Sequence, residues 1–165
     1  MRSSLIAAIV FLVLGSALCA KPELDSAAKA EIQKANQALA KAPTAENYAE
    51  RARQYSRNKM FTEAAADYGC AIRLAPAEPG LYWRRAFELA NLKRYADAIA
   101  DCNRTIRLVP IGSEHFKHAL RIRATCYHEL GKHKEAIADA KRLSDMGDES
   151  AAADLRDWEH GSTTR

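Results

Sequence analysis

Apolar residues recur along the chain at the spacing of amphipathic helices, and the recurrence itself repeats. Tyr82, Ala86 and Leu89 fall at i, i+4 and i+7, which lines one face of a helix over 81–92. Tyr95, Ala98, Ile99, Cys102, Ile106 and Val109 line a second helix over 95–108, with a turn at 91–94 between the two. Pro110 stops that helix, because proline cannot continue the hydrogen-bond ladder and restricts the residue before it. The preceding stretch follows the same plan: Tyr48, Ala52 and Tyr55, then Phe61, Ala64, Tyr68, Ala71 and Leu74, with Pro76 as the stop. A third copy carries Leu120, Ala124 and Tyr127, then His133, Ala136, Ile137, Ala140 and Leu143. KMFTEAAADYGCAIRLAP (59–76) and KRYADAIADCNRTIRLVP (93–110) align without a gap, so their prolines lie 34 residues apart. No Val- or Thr-rich alternating stretch offers a strand, and the pattern predicts an all-α chain.

A large apolar residue, a small one four later, an aromatic three after that, then Ala, an aromatic, Ala and Pro make the pattern of the tetratricopeptide repeat, which this chain resembles. The second copy carries this as Tyr82, Ala86, Leu89, Ala98 and Pro110, departing at Cys102 and Thr105, where the family has an aromatic and a second alanine. The resemblance implies a right-handed α-solenoid of three helix-turn-helix units, 45–78, 79–112 and 113–148. Small residues at Ala52, Ala86 and Ala124, and at Ala64, Ala98 and Ala136, mark where the two helices of a unit cross closely. Ala64 and Ala98 are 34 residues apart, but Ala98 and Ala136 are 38 apart. Four extra residues near Ile111 amount to about one helical turn. The third unit's first helix is therefore expected to start at a Ser113 N-cap and run one turn long. A solenoid must also cover its apolar ends. Residues 21–44 read as an N-terminal capping helix over 23–41, and 149–165 as a C-terminal capping helix over 150–158 followed by a tail.

Residues 1–20 have the layout of a secretory leader: Arg2, the apolar run Leu5–Leu14, then small residues, with cleavage expected after Ala20. The run is shorter than the ~20 residues a spanning helix needs, so no membrane span is expected once the leader is removed. Cys19 offers a second reading, as the acylated first residue of a lipid-anchored protein, although Leu18 departs from the usual lipobox. The expected location is secreted or periplasmic. Loss of Arg2 takes the formal charge from +4 to +3. That mild excess is spread among acidic neighbours and lacks the dense basic face of a nucleic-acid binder. Alanine makes up roughly a fifth of the chain and favours helices at close approach.

Catalytic signatures are missing: there is no phosphate-cradling glycine loop, HExxH or nucleophile elbow, so no enzyme activity, cofactor or metal is expected. His115 and His118, at i, i+3, read as surface residues on the extended helix; a metal protein or enzyme built on them is the lesser alternative. Cys70, Cys102 and Cys126 follow the leader without a CxxC motif. Cys102 and Cys126 sit on neighbouring helices, where a bridge is conceivable and burial as small apolar residues is expected. One regularity is finer than the repeat: Arg51, Arg85 and Arg123 each have an aspartate 16 residues on, at Asp67, Asp101 and Asp139. Each arginine is expected to lay its stem in the helix–helix groove and pair its head with an aspartate.

In tetratricopeptide repeats the first helices line a concave surface. The matching positions here are Ala49 and Arg53, Trp83 and Phe87, and Arg121 and Thr125, with Arg57, Asn91 and His128 nearby. The resemblance thus implies a peptide-binding set of Arg53, Trp83, Arg84, Phe87, Asn91, Arg121 and His128. Trp83 and Phe87 have little packing reason to be aromatic, and the flanking arginines suit a peptide with an acidic or C-terminal carboxylate group. The Lys/Asn clamp of chaperone-tail binders is replaced by Ala49, Arg53 and Arg84, which disfavours that specialisation. The expected function is an exported, non-enzymatic scaffold for a protein or peptide partner. A lipid-anchored factor assembling an envelope complex is the alternative.

Overall fold

A computed structural model describes residues 24–161, so the leader and Cys19 lie outside the described residues. Eight helices occur there: α1 (Ser26–Lys41), α2 (Ala45–Arg57), α3 (Phe61–Leu74), α4 (Pro79–Asn91), α5 (Tyr95–Leu108), α6 (Glu114–Glu129), α7 (His133–Ser144) and α8 (Glu149–Gly161). Each packs on the next, pairing α2 with α3, α4 with α5 and α6 with α7 into units, with α1 laid on α2 and α8 on α7. The result is an all-α solenoid, the fold class that the repeat resemblance implies.

Two local devices repeat and set this layout. The unit-opening helices have side-chain caps: the amides of Asn47, Gly80 and Phe116 donate to Thr44, Glu78 and Ser113. Ser113 is the expected N-cap, and α6 runs 16 residues against 13 for α2 and α4. The second device turns the chain inside each unit. The amides of Met60, Arg94 and Lys132 reach back to the carbonyls of Tyr55, Leu89 and Tyr127 at 2.8–2.9 Å. The residue before each has positive φ: 57° at Lys59, 59° at Lys93 and 70° at Gly131. These are left-handed C-terminal caps of the Schellman type, and only the third places a glycine where the conformation favours one.

Alanines let the paired helices approach. Ala52, Ala64, Ala86, Ala98 and Ala136 are wholly inaccessible, and Ala124 nearly so. Beside each crossing lies the expected ion pair. Arg51, Arg85 and Arg123 each donate from Nε and Nη2 to the two carboxylate oxygens of Asp67, Asp101 and Asp139, at 2.6–2.7 Å. Leu74 departs from expectation, standing 55% exposed in the last turn of α3, where Ala71, Ile72 and Ala75 take the core-facing positions. Cys102 and Cys126 are buried free thiols with no bridge between them; burial pushes Cys102 well above its ordinary pKa and Cys126 up to about 11.

Glu88 is the anomaly of the core. It points from α4 toward the first unit, 2% exposed, with Oε2 unpartnered and Ser56 hydrogen-bonded to the carboxyl. Burial raises its pKa, and the Ser56 hydrogen bond only partly opposes this. The neutral acid is therefore the form that fits, and its contribution to stability falls as pH rises through the raised value. Glu88→Gln should raise the thermal midpoint by more at pH 8 than at pH 5, read by circular dichroism. An equal effect at both values would show that Glu88 does not titrate on folding.

Candidate peptide-binding groove

α4 and α6 are the first helices of adjacent units, and their facing sides bound a cleft of about 570 Å³. Trp83, Phe87 and Asn91 supply one wall, Arg121 and Thr125 the other, and Tyr95 of α5 contributes below. The Tyr95 hydroxyl donates to Glu129 Oε2 at 3.1 Å and ties α5 to the end of α6. Phe87 is 46% exposed and is the large apolar side chain open to solvent within this cleft. Asn91 Nδ2 donates to the Phe87 carbonyl at 2.9 Å, which holds the amide against its own helix.

Trp83 is placed otherwise than its sequence context implies. Its Nε1 donates to His115 Nδ1 at 3.1 Å, and its ring stacks on His118 with centroids 4.4 Å apart. The Arg84 guanidinium covers the ring at 4.4 Å and donates from Nη1 to the Gly80 carbonyl. The extra turn of α6 therefore carries its two histidines onto the tryptophan, joining units two and three. Trp83 has a packing reason to be aromatic after all, and His115 and His118 are its partners. Among the described residues no group of three or more His, Cys, Asp or Glu side chains could hold a metal ion.

The remaining expected site residues are distributed. Arg53 lies on α2 and pairs with Glu50 one turn away, outside the cleft. Arg84 lies behind Trp83. His128 stacks on Trp158 of α8 with centroids 4.7 Å apart and meets His133 edge-on, so the C-terminal helix covers it. Ala49 is buried in the first unit's core. Arg121 remains at the cleft, ion-paired with Asp148 in the turn before α8. Burial works to raise the Asp148 pKa, but the Ala151 amide and Arg121 prevail and hold it below the usual range. The structure thus brings Trp83, Phe87, Asn91 and Arg121 together. It adds Tyr95, expected only to pack, His118, expected only at the surface, and Ile122 and Glu129, to which the repeat pattern gives no role.

His118 has a lowered pKa because burial, and next Arg121, disfavour its charged form. Its neutral stack on Trp83 is fully present above the ordinary histidine value of about 6.5 and is lost as pH falls through the lowered one. In a Trp158→Phe background, Trp83 emission should shift to longer wavelength on acidification, and at neutral pH in His118→Ala. Emission unmoved by either change would contradict the stack.

No described protein family matches the chain as a profile. Among curated proteins it is 35% identical over 100 residues to the Hsp70-Hsp90 organizing protein of Triticum aestivum, covering 51% of this chain and 17% of that one. It is 34% identical over 85 residues to a 58 kDa phosphoprotein of Plasmodium berghei, covering 52% and 19%. The chain thus spans less than a fifth of the length of these relatives. Among solved structures, MamA superimposes with a TM-score of 0.74 at 17% identity, covering 81% of this chain and 78% of that one. The first TPR domain of Spaghetti (RPAP3), bound to the HSP90 peptide SRMEEVD, gives 0.67 at 24%, covering 74% and 96%. The Arabidopsis OM64 TPR domain gives 0.64 at 23%, covering 69% and 93%. The fold is that of the tetratricopeptide solenoid.

Proposed function

We propose that this chain is an exported, non-enzymatic tetratricopeptide scaffold that holds a peptide segment between α4 and α6. The observation that carries this reading is the cleft itself, where an exposed phenyl ring stands beside an arginine whose partner can be exchanged. A large apolar side chain of the ligand would lie on Phe87, against Ile122 and the edge of Trp83. A ligand carboxylate would take Arg121 from Asp148, trading one charge-assisted pair for another. The acidic peptide held by the Spaghetti domain, a neighbour of the same fold, supports that ligand class. The Lys/Asn clamp positions argue for different detail, since Ala49 is buried and Arg84 is spent on Trp83. The leader over 1–20 supports export to a secreted or periplasmic location. No helix among the described residues is long and apolar enough to cross a membrane.

Calorimetric titration of acidic heptapeptides carrying one large apolar residue, with SRMEEVD included, tests the reading on exported protein whose N-terminus should be Lys21. Binding is expected, with Phe87→Ala and Arg121→Ala each weakening it about tenfold, or about 1.4 kcal/mol. Amidation of the peptide C-terminus should weaken it similarly if the terminal carboxylate is the group recognised. Affinity indifferent to both substitutions would remove the groove from the account, and an N-terminus before Lys21 would remove export by cleavage there.

A further inference from the structure

The three arginine bridges are equal in two of their arms and unequal in the third. Arg51 Nη1 donates to Asn36 Oδ1 of α1 at 2.9 Å, and Arg123 Nη1 donates to Asn103 Oδ1 of α5. Both asparagines stand seven residues before the proline that follows their helix, Pro43 and Pro110. At the same place before Pro76, α3 carries Gly69, and Arg85 Nη1 makes no hydrogen bond among the described residues. A Cβ built on Gly69 would lie 3.6 Å from that nitrogen, an ordinary contact, and the glycine has no positive φ. Neither backbone strain nor crowding requires glycine there. In a helix interior glycine is also a poor former, disfavoured against alanine.

The missing side chain leaves Arg85 Nη1 without the partner that asparagine supplies in the sibling units. A second cleft of about 450 Å³, sharing no residue with the first, opens between α3 and α5 onto Arg85 and Asp101. Its walls are small at Ala65, Ala66 and Ala100. Its charges are already matched, Arg85 by Asp101 and Arg94 by Asp97. A free anion would find no unpaired cation here, whereas a neutral carbonyl acceptor would complete the Arg85 fork as asparagine does in the sibling units. We propose that this cleft is a binding site for the carboxamide side chain of an Asn or Gln presented by a partner polypeptide, with its oxygen on Arg85 Nη1.

The site can be tested with propionamide as the probe, using nitrogen–proton spectra of the Arg85 Nε–H group and the Gly69 amide. Saturable shifts at both are expected in the wild type and should be absent in Gly69→Asn, whose own side chain takes the site. Gly69→Asn should also melt above Gly69→Ala despite asparagine's poorer helix propensity, because it gains the hydrogen bond. The proposal is overturned by the absence of saturable shifts in the wild type, or by shifts that persist in Gly69→Asn. It is equally overturned by propionate binding more tightly than propionamide, or by Gly69→Asn melting no higher than Gly69→Ala.

Discussion

The guanidinium groups of Arg51, Arg85 and Arg123 carry the geometry on which the other contacts rest. Each lies beside the alanine where the two helices of its unit cross, and each is held fork to fork by an aspartate 16 residues on. The alanines permit close approach but are indifferent to rotation, since a methyl group packs as well over a range of angles. A bidentate pair is not indifferent, because both hydrogen bonds require one plane and one register. The aspartates are almost wholly withdrawn from solvent, 7–9% exposed, so the register they fix is also one they are costly to leave.

The same groups connect one unit to the next. Where a third arm reaches an asparagine on the preceding helix, as from Arg51 to Asn36 and Arg123 to Asn103, one side chain fixes both the pairing and the stacking. The joint between units two and three is reinforced again by the His115–Trp83–His118 contact. Between units one and two Arg85 lacks the third arm over Gly69, and the buried Glu88 carboxyl keeps one oxygen unpartnered beside its Ser56 hydrogen bond. The cleft between α4 and α6 is thus set on the firmly braced pair of units, which suits a preformed binding surface.

What the sequence discloses divides along the range of the forces involved. The helices, the Ser113 cap and the arginine–aspartate offsets are legible because each is written locally or repeated in phase, so one unit annotates the others. The four-residue insertion was readable as an extra helical turn, and α6 has it. Its consequence was not readable, since carrying His115 and His118 to Trp83 depends on where a neighbouring unit lies. In sequence Trp83 therefore looks like a free aromatic although it is a joint, while Phe87, four residues on, stays open. His128 was hidden in the same way, because the register of α8 that brings Trp158 over it is tertiary. Glu88 gave no sign of burial, being a charged residue in a helix that looks amphipathic without it.

A double-mutant cycle on Arg123 and Asp139, with unfolding followed in urea, tests most directly whether these bridges hold the solenoid. Alanine at either position alone should cost about 3 kcal/mol, since each leaves its partner's charge largely buried and unpaired. The coupling energy between them should lie at about 1.5–3 kcal/mol, so that the double variant loses far less than the sum of the singles. Additivity within about 0.5 kcal/mol would show that the bridges sit on a geometry fixed by other contacts and would contradict the account.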